Sequence, residues 1–202
     1  MLSTPIMQTR LLATTVLAMM IRFATFILPP SSSNKEDHII PTLVSLLRET
    51  PKLDIKIRRR AIAALGEVIF YVSAQGGEGG AGASSSSSSL LDDRDQQRGE
   101  DEANSWKIPS TALITVLKAL KEDPDETIKH YSAKLIENVM AQGSLEYRNR
   151  LLSIETADRI LDLVLTGRGE SIQLTCSMAL FHILAFYAKI KDKSILIFYI
   201  II

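Results

Sequence analysis

The sequence predicts an all-α chain, a solenoid of about four stacked helix pairs interrupted once by a low-complexity insertion. Three observations carry that reading. Apolar residues recur at helical spacing through most of the 202 residues, one nine-residue pattern returns four times, and residues 75–105 have a composition that cannot bury a core. Bulk composition agrees. A hydrophobic content of 46% supplies a core, while 23 basic and 23 acidic residues cancel and leave no electrostatic footprint for nucleic acid. The single cysteine, Cys176, excludes an internal disulfide framework. No Cys/His cluster has zinc-ligand spacing, so no metal or cofactor is expected, and a reducing cytoplasmic setting is the natural one.

Taken in order, the first helix is expected over 8–28. Its stretch 11–28 has the look of a signal peptide or membrane span. Arg22 interrupts it at a depth where charge is costly, and Pro29, Pro30 and a serine cluster follow in place of a cleavage site. A buried repeat helix and no membrane contact are the expectation. A second helix covers 38–50, with Ile39, Ile40, Leu43, Val44, Leu46 and Leu47 as its apolar set, and Pro51 closes it. The third, 54–74, carries Ile57, Ala61, Ala64, Leu65, Val68 and Val72 on one face. Glycines at 76–82, six serines at 84–89 and the acidic run Asp92–Glu102 form the insertion, which is expected to be disordered. Trp106 opens the return, and helices follow at 109–122, 125–142, 155–167 and 170–188. The array therefore spans 8–188. The tail 189–202 ends in a β-prone, uncharged run too short to cross a bilayer, and reads as a non-native or truncated end.

Setting residues 13–21, 61–69, 132–140 and 176–184 in register exposes the repeat. Each begins with a small residue and has apolar residues at its fourth, fifth and eighth places. The fifth places are Leu17, Leu65, Ile136 and Leu180, spaced by 48, 71 and 44 residues. Without an insertion of about 30 residues the middle spacing falls to about 41, within the roughly 40–47 period of armadillo and HEAT repeats. Asp54 and Asp125 stand where a carboxylate would cap the next helix, and Ile57-Arg58 and Ile128-Lys129 follow them at equal distances. Gly66, within the third helix, costs about 1 kcal/mol relative to alanine, which close helix packing could offset. Four units are near the lower limit for such an array, and ends without polar caps predict poor solubility.

Residues Arg58–Gln75 resemble the armadillo/HEAT region of the RUNKEL/Fused-type serine/threonine kinases, a divergent branch of the uncoordinated-like (ULK) kinases. Trp106–Ser110 and His130–Val139 are similar to two further stretches of that family, and the insertion sits where the family carries a variable loop. The resemblance covers most of residues 10–188. It implies a noncatalytic protein-interaction scaffold in a microtubule-based process, cytokinesis or the cilium. It further implies a protein partner that is microtubule- or kinesin-associated and a cytoskeletal location. Family members carry a kinase or pseudokinase domain that is not in this sequence. The alternative is therefore the regulatory fragment of a kinase whose catalytic part lies elsewhere.

No enzyme chemistry is expected from the chain itself. Gly77–Gly82 satisfies G-x-G-x-x-G but leads into polyserine, and neither H-R-D-x-x-x-x-N nor D-F-G occurs. His38, His130 and His182 have no catalytic or metal-spaced partners, and Cys176 takes a small-residue place, so it reads as a buried thiol. Binding residues are sought in the seventh place of the register: Met19, Glu67, Asn138 and His182. In armadillo proteins that place often holds an asparagine, whose amide can both donate to and accept from an extended peptide backbone. Only Asn138 has that identity, so Glu67, Asn138 and His182 are the candidate face without a regular asparagine ladder. Arg58, Arg59 and Lys129 are the candidate basic contact for an acidic partner. The run Arg58, Arg59 and Arg60 has the charge to meet a phosphate or an acidic tubulin-like surface, and the preferred competing reading is a solvated turn whose charges pair with Asp54 and Glu67 on their own helix.

Overall fold

A computed structural model describes residues 7–24, 39–48, 54–75 and 108–201. The described residues form eight helices: α1 (Met7–Phe23), α2 (Ile39–Arg48), α3 (Ile55–Gln75), α4 (Ser110–Glu122), α5 (Glu126–Gln142), α6 (Leu145–Leu151), α7 (Ile154–Thr166) and α8 (Glu170–Ile201). Local chemistry sets several of their starts. Asp54 accepts the Lys56 N–H at 2.7 Å ahead of α3. Asp125 accepts the Ile128 N–H at 3.0 Å ahead of α5, and Ser153 accepts the Thr156 N–H at 3.1 Å ahead of α7. Each satisfies one of the amides that a helix start leaves without an intrahelical partner.

Helices α1, α3, α5 and α8 lie side by side as one layer, each packed along the next. A second layer of α2, α4 and α7 covers α3, α5 and α8, and its members touch one another far less. Close spacing in one layer and wide spacing in the other curve the stack, with the first layer on the concave side. That is a solenoid of helix pairs. Polar contacts fix the helix sense. Arg59 near the start of α3 meets Asp125 at the start of α5, and the Ser144 N–H beyond the end of α5 donates to the Ser73 carbonyl near the end of α3. The two helices are therefore parallel.

The core divides into two clusters that meet at α5. On one side Leu135 and Val139 join Ile57, Ala61, Leu65, Val68 and Ile69 of α3 and Ile21 of α1. On the other, Ala133, Ile136 and Met140 join Ile160 and Leu163 of α7 and Cys176, Ala179 and Ile183 of α8. Full burial of one such aliphatic side chain stabilises by about 1.5–3 kcal/mol, so both faces of α5 contribute to joining the stack.

Several expectations change. Helix α6 was not anticipated; through buried Tyr147 and Leu151 it gives the last unit three helices, a pattern armadillo repeats show. The described helices thus make three complete units and one further inner helix, α1. Helix α8 does not end near 188 but runs to Ile201, across the segment read as β-prone. Nothing between Glu170 and Ile201 is Gly or Pro, and extending an existing helix is far easier than nucleating one, so the weak helix propensity of isoleucine does not end it. Residues 25–38 with His38, the insertion from 76 onward and Trp106 lie outside the described residues.

Among the described residues, the segment Glu170–Lys189 is long and apolar enough to cross a membrane by length and composition, with a mean hydropathy of 1.4. Its inward face, Ile172, Cys176, Ala179, Ile183 and Phe186, is core.

Candidate protein-binding surface

The seventh-place residues fall on the four helices of the concave layer, one per helix. Met19 on α1 is exposed, whereas Glu67 on α3, Asn138 on α5 and His182 on α8 are half-buried. His182 stands edge-on to Phe181, with ring centroids 5.4 Å apart. The row offers a thioether, a carboxylate, an amide and an imidazole in succession, which suits a varied polypeptide better than a single repeated ligand group.

The arginine run resolves into different roles. Arg58 pairs with Asp123, both side chains being largely buried. Arg59 forks onto Asp125, with Nη2–Oδ2 at 2.6 Å and Nε–Oδ1 at 3.1 Å. The partners are thus in the α4–α5 turn of the following unit, not Asp54 and Glu67 on the same helix. Asp125 serves twice, as the cap of α5 and as the acceptor for Arg59. Hydrogen bonding from Arg59 holds its carboxyl below the usual range, burial acting the other way and the Ile128 N–H assisting. The Asp123 carboxylate also accepts the Asp125 N–H at 2.9 Å, which stiffens the turn. Lys129 is half-buried on the first turns of α5, at the register place that Arg58 has in α3.

Beside these pairs the structure opens a hollow of about 330 Å³ between the N-terminal halves of α1, α3 and α5. Leu11, Thr15, Lys56, Arg59, Arg60, Thr127 and Tyr131 line it. Lys56 and Arg60 are exposed and stand one helical turn apart on the same face of α3. Sequence reasoning passed over Lys56 and weighed Arg60 only as one of the arginine run. Their i, i+4 spacing was a signal for a shared face, although only the packing of α1 and α5 around them makes a hollow. Such a lining fits a carboxylate or phosphate group with an apolar stem. Among the described residues no group of three His, Cys, Asp or Glu side chains could hold a metal ion.

No family model matches the chain. Over 149 residues it is 24% identical to the serine/threonine-protein kinase RUNKEL of Arabidopsis thaliana. This helical-repeat chain is distantly similar to part of that kinase. The match takes in 73% of this chain and 10% of RUNKEL, so the chain spans about a tenth of its relative and no kinase domain is evidenced in it. Among solved structures, the crystal structure of an engineered protein superposes with a TM-score of 0.54 at 18% identity, over 90% of this chain and 59% of the other. That likeness supports the helical-repeat fold alone.

Proposed function

We propose that the chain is a noncatalytic protein-interaction scaffold whose concave layer takes an extended, acidic segment of a partner. One observation carries this reading: the basic hollow at Lys56 and Arg60 opens among the N-terminal halves of the same helices that carry the seventh-place row. A segment laid across α3 and α5 would place acidic groups at Lys56 and Arg60 and polar backbone near Glu67 and Asn138. His182 would extend the row onto α8. Similarity to RUNKEL and the resemblance of the sequence blocks support a microtubule-based process, cytokinesis or the cilium, and a cytoplasmic, cytoskeleton-associated location. Acidic tubulin tails are then the partner chemistry to try first.

Cosedimentation of the chain with polymerised microtubules tests this. Binding should weaken about tenfold for K56E/R60E and on microtubules stripped of their acidic tails, while R58M, which sits in an internal ion pair, should bind as the parent does once folded. Equal binding by K56E/R60E would overturn the role of the hollow. A second reading, the regulatory part of a kinase, is favoured by the kinase identity of the relative. It expects saturable binding of this chain to a separately expressed kinase domain of that relative.

A further inference from the structure

The two ends of the concave layer expose apolar faces, and the register shows what each face is built to meet. Counted from the fifth-place residue, the positions at −1 and +3 on α5 are Leu135 and Val139, which enter the α1–α3 core cluster. On α8 the same positions are Ala179 and Ile183, buried in the cluster shared with α5. The position at +6 on α8 is Phe186, also buried, and Arg148 from beyond the end of α5 stacks over its ring at 5.6 Å. These positions form the edge by which an inner helix meets the one before it. On α1 they are Val16, Met20 and Phe23, with Leu12 at −5, and all four are exposed, Phe23 by 74%.

The opposite edge behaves in the same way. Positions −6, +1 and +4 on α1 are Leu11, Ala18 and Ile21, which pack into the cluster with α3. On α3 they are Arg59, Gly66 and Ile69. Arg59 reaches Asp125 ahead of α5, and a methyl group at Gly66 would stand 3.7 Å from Leu135 on α5. This is the edge that receives the following helix. On α8 it comprises Leu174, Phe181 and Leu184, with Met178 at −2, and all are exposed: 66%, 62%, 59% and 41%.

From this register we infer that α8 of one copy receives α1 of a second copy, head to tail, repeating the parallel inner-layer packing that joins α3 to α5. The occupant is a second copy because its α1 carries the edge complementary to α8 in the same helix sense. Phe181 and Val16 are bulkier than Gly66 and Leu135 taken together, so this junction spaces its helices more widely than the interior one. A leading edge meeting a trailing edge is a heterologous contact. It is not self-complementary, so it builds an open series of oligomers, or a ring where the rotation closes, and not a single symmetric dimer.

Sedimentation velocity on the full chain tests the inference through two soluble-face variants, V16E/M20E on α1 and F181E/L184E on α8. Each alone should sediment as the 22.4 kDa monomer. An equimolar mixture should form a one-to-one dimer of twice that mass and stop there, because its outer ends are both charged. Helicity by circular dichroism checks folding, and the milder pair L12K and M178K, both at exposed positions of the two edges, replaces any variant that loses it. The unmodified chain should show mass rising with concentration. A mixture that stays monomeric overturns the proposal. So does a V16E/M20E variant that still dimerises by itself, which would mean that α8 pairs with α8, or association that survives charging both faces.

Discussion

Two glycines on the same layer make opposite predictions from the same substitution. Gly66 lies within α3, half-buried, where a helix-interior glycine costs about 0.8–1.0 kcal/mol relative to alanine. Close packing could have required it. The space is there, however, because an added Cβ would meet Leu135 Cβ at 3.7 Å, an ordinary van der Waals contact. Gly66→Ala is therefore expected to stabilise the chain by about 1 kcal/mol, helix propensity supplying most of it. Gly143 closes α5, and its N–H donates to the Val139 carbonyl at 2.8 Å. A Cβ there would stand 2.6 Å from that same oxygen and 2.8 Å from Val139 Cγ1. Relief requires moving the bonded carbonyl, so Gly143→Ala should destabilise by about 2 kcal/mol. Urea denaturation followed at 222 nm reads both. With a slope of about 1–3 kcal/mol per molar, the midpoint should rise by roughly 0.3–1 M for Gly66→Ala and fall by about twice that for Gly143→Ala. A Gly66→Ala midpoint below that of the parent would refute the packing account of the α3–α5 contact.

Further outcomes follow from the ionisable groups. Asp123→Ala strands the largely buried Arg58 and should cost about 3 kcal/mol, while the double variant R58M/D123A recovers part of that in a double-mutant cycle. The Asp125 carboxyl titrates below its unfolded value of 3.8, so it stabilises above that pH. The contribution disappears as pH falls through the lowered folded value, and acid titration of Asp125→Asn should show a shallower loss there. Burial, with Lys134 assisting, lowers His130 from 6.5, so the unfolded chain takes up the proton first. Stability should decline as pH drops below about 6.5, less so in His130→Gln. Burial pushes the Cys176 thiol up to about 11, and a thiol reagent at pH 8 should modify it only at the rate of unfolding.

How far the sequence was legible depended on the range of the interaction concerned. The caps at Asp54 and Asp125 are local, and both aspartates accept the amides their positions promise. Fifth-place register was legible because Leu65 and Ile136 must face the stack wherever it occurs, and both are fully buried. Helix α6 escaped because seven residues, Leu145–Leu151, are too few for a periodic signal and bury only Tyr147 and Leu151. The end of α8 was misjudged because β-branched residues were weighed against a helix that was already nucleated. The partners of Arg58 and Arg59 were beyond reach, since those ion pairs bridge 65 and 66 residues across the insertion.

That last point also decides which cations remain for a ligand. A run of three arginines looks like one basic patch, but successive residues on a helix point about 100° apart and meet different surroundings. Arg58 turns into the junction with the next unit, Arg59 lies at its rim forked onto Asp125, and Arg60 stays in solvent above the hollow. Two arginines thus help join α3 to the α4–α5 turn across the insertion. Lys56, which looked unremarkable in the sequence, joins Arg60 as the accessible charge. Neutralising Arg58 should therefore register in stability before binding, and neutralising Lys56 and Arg60 in binding with little change in stability. If neutralising Arg58 and neutralising Lys56 with Arg60 shifted the urea midpoint equally, the division of these cations into joining and accessible charges would fail.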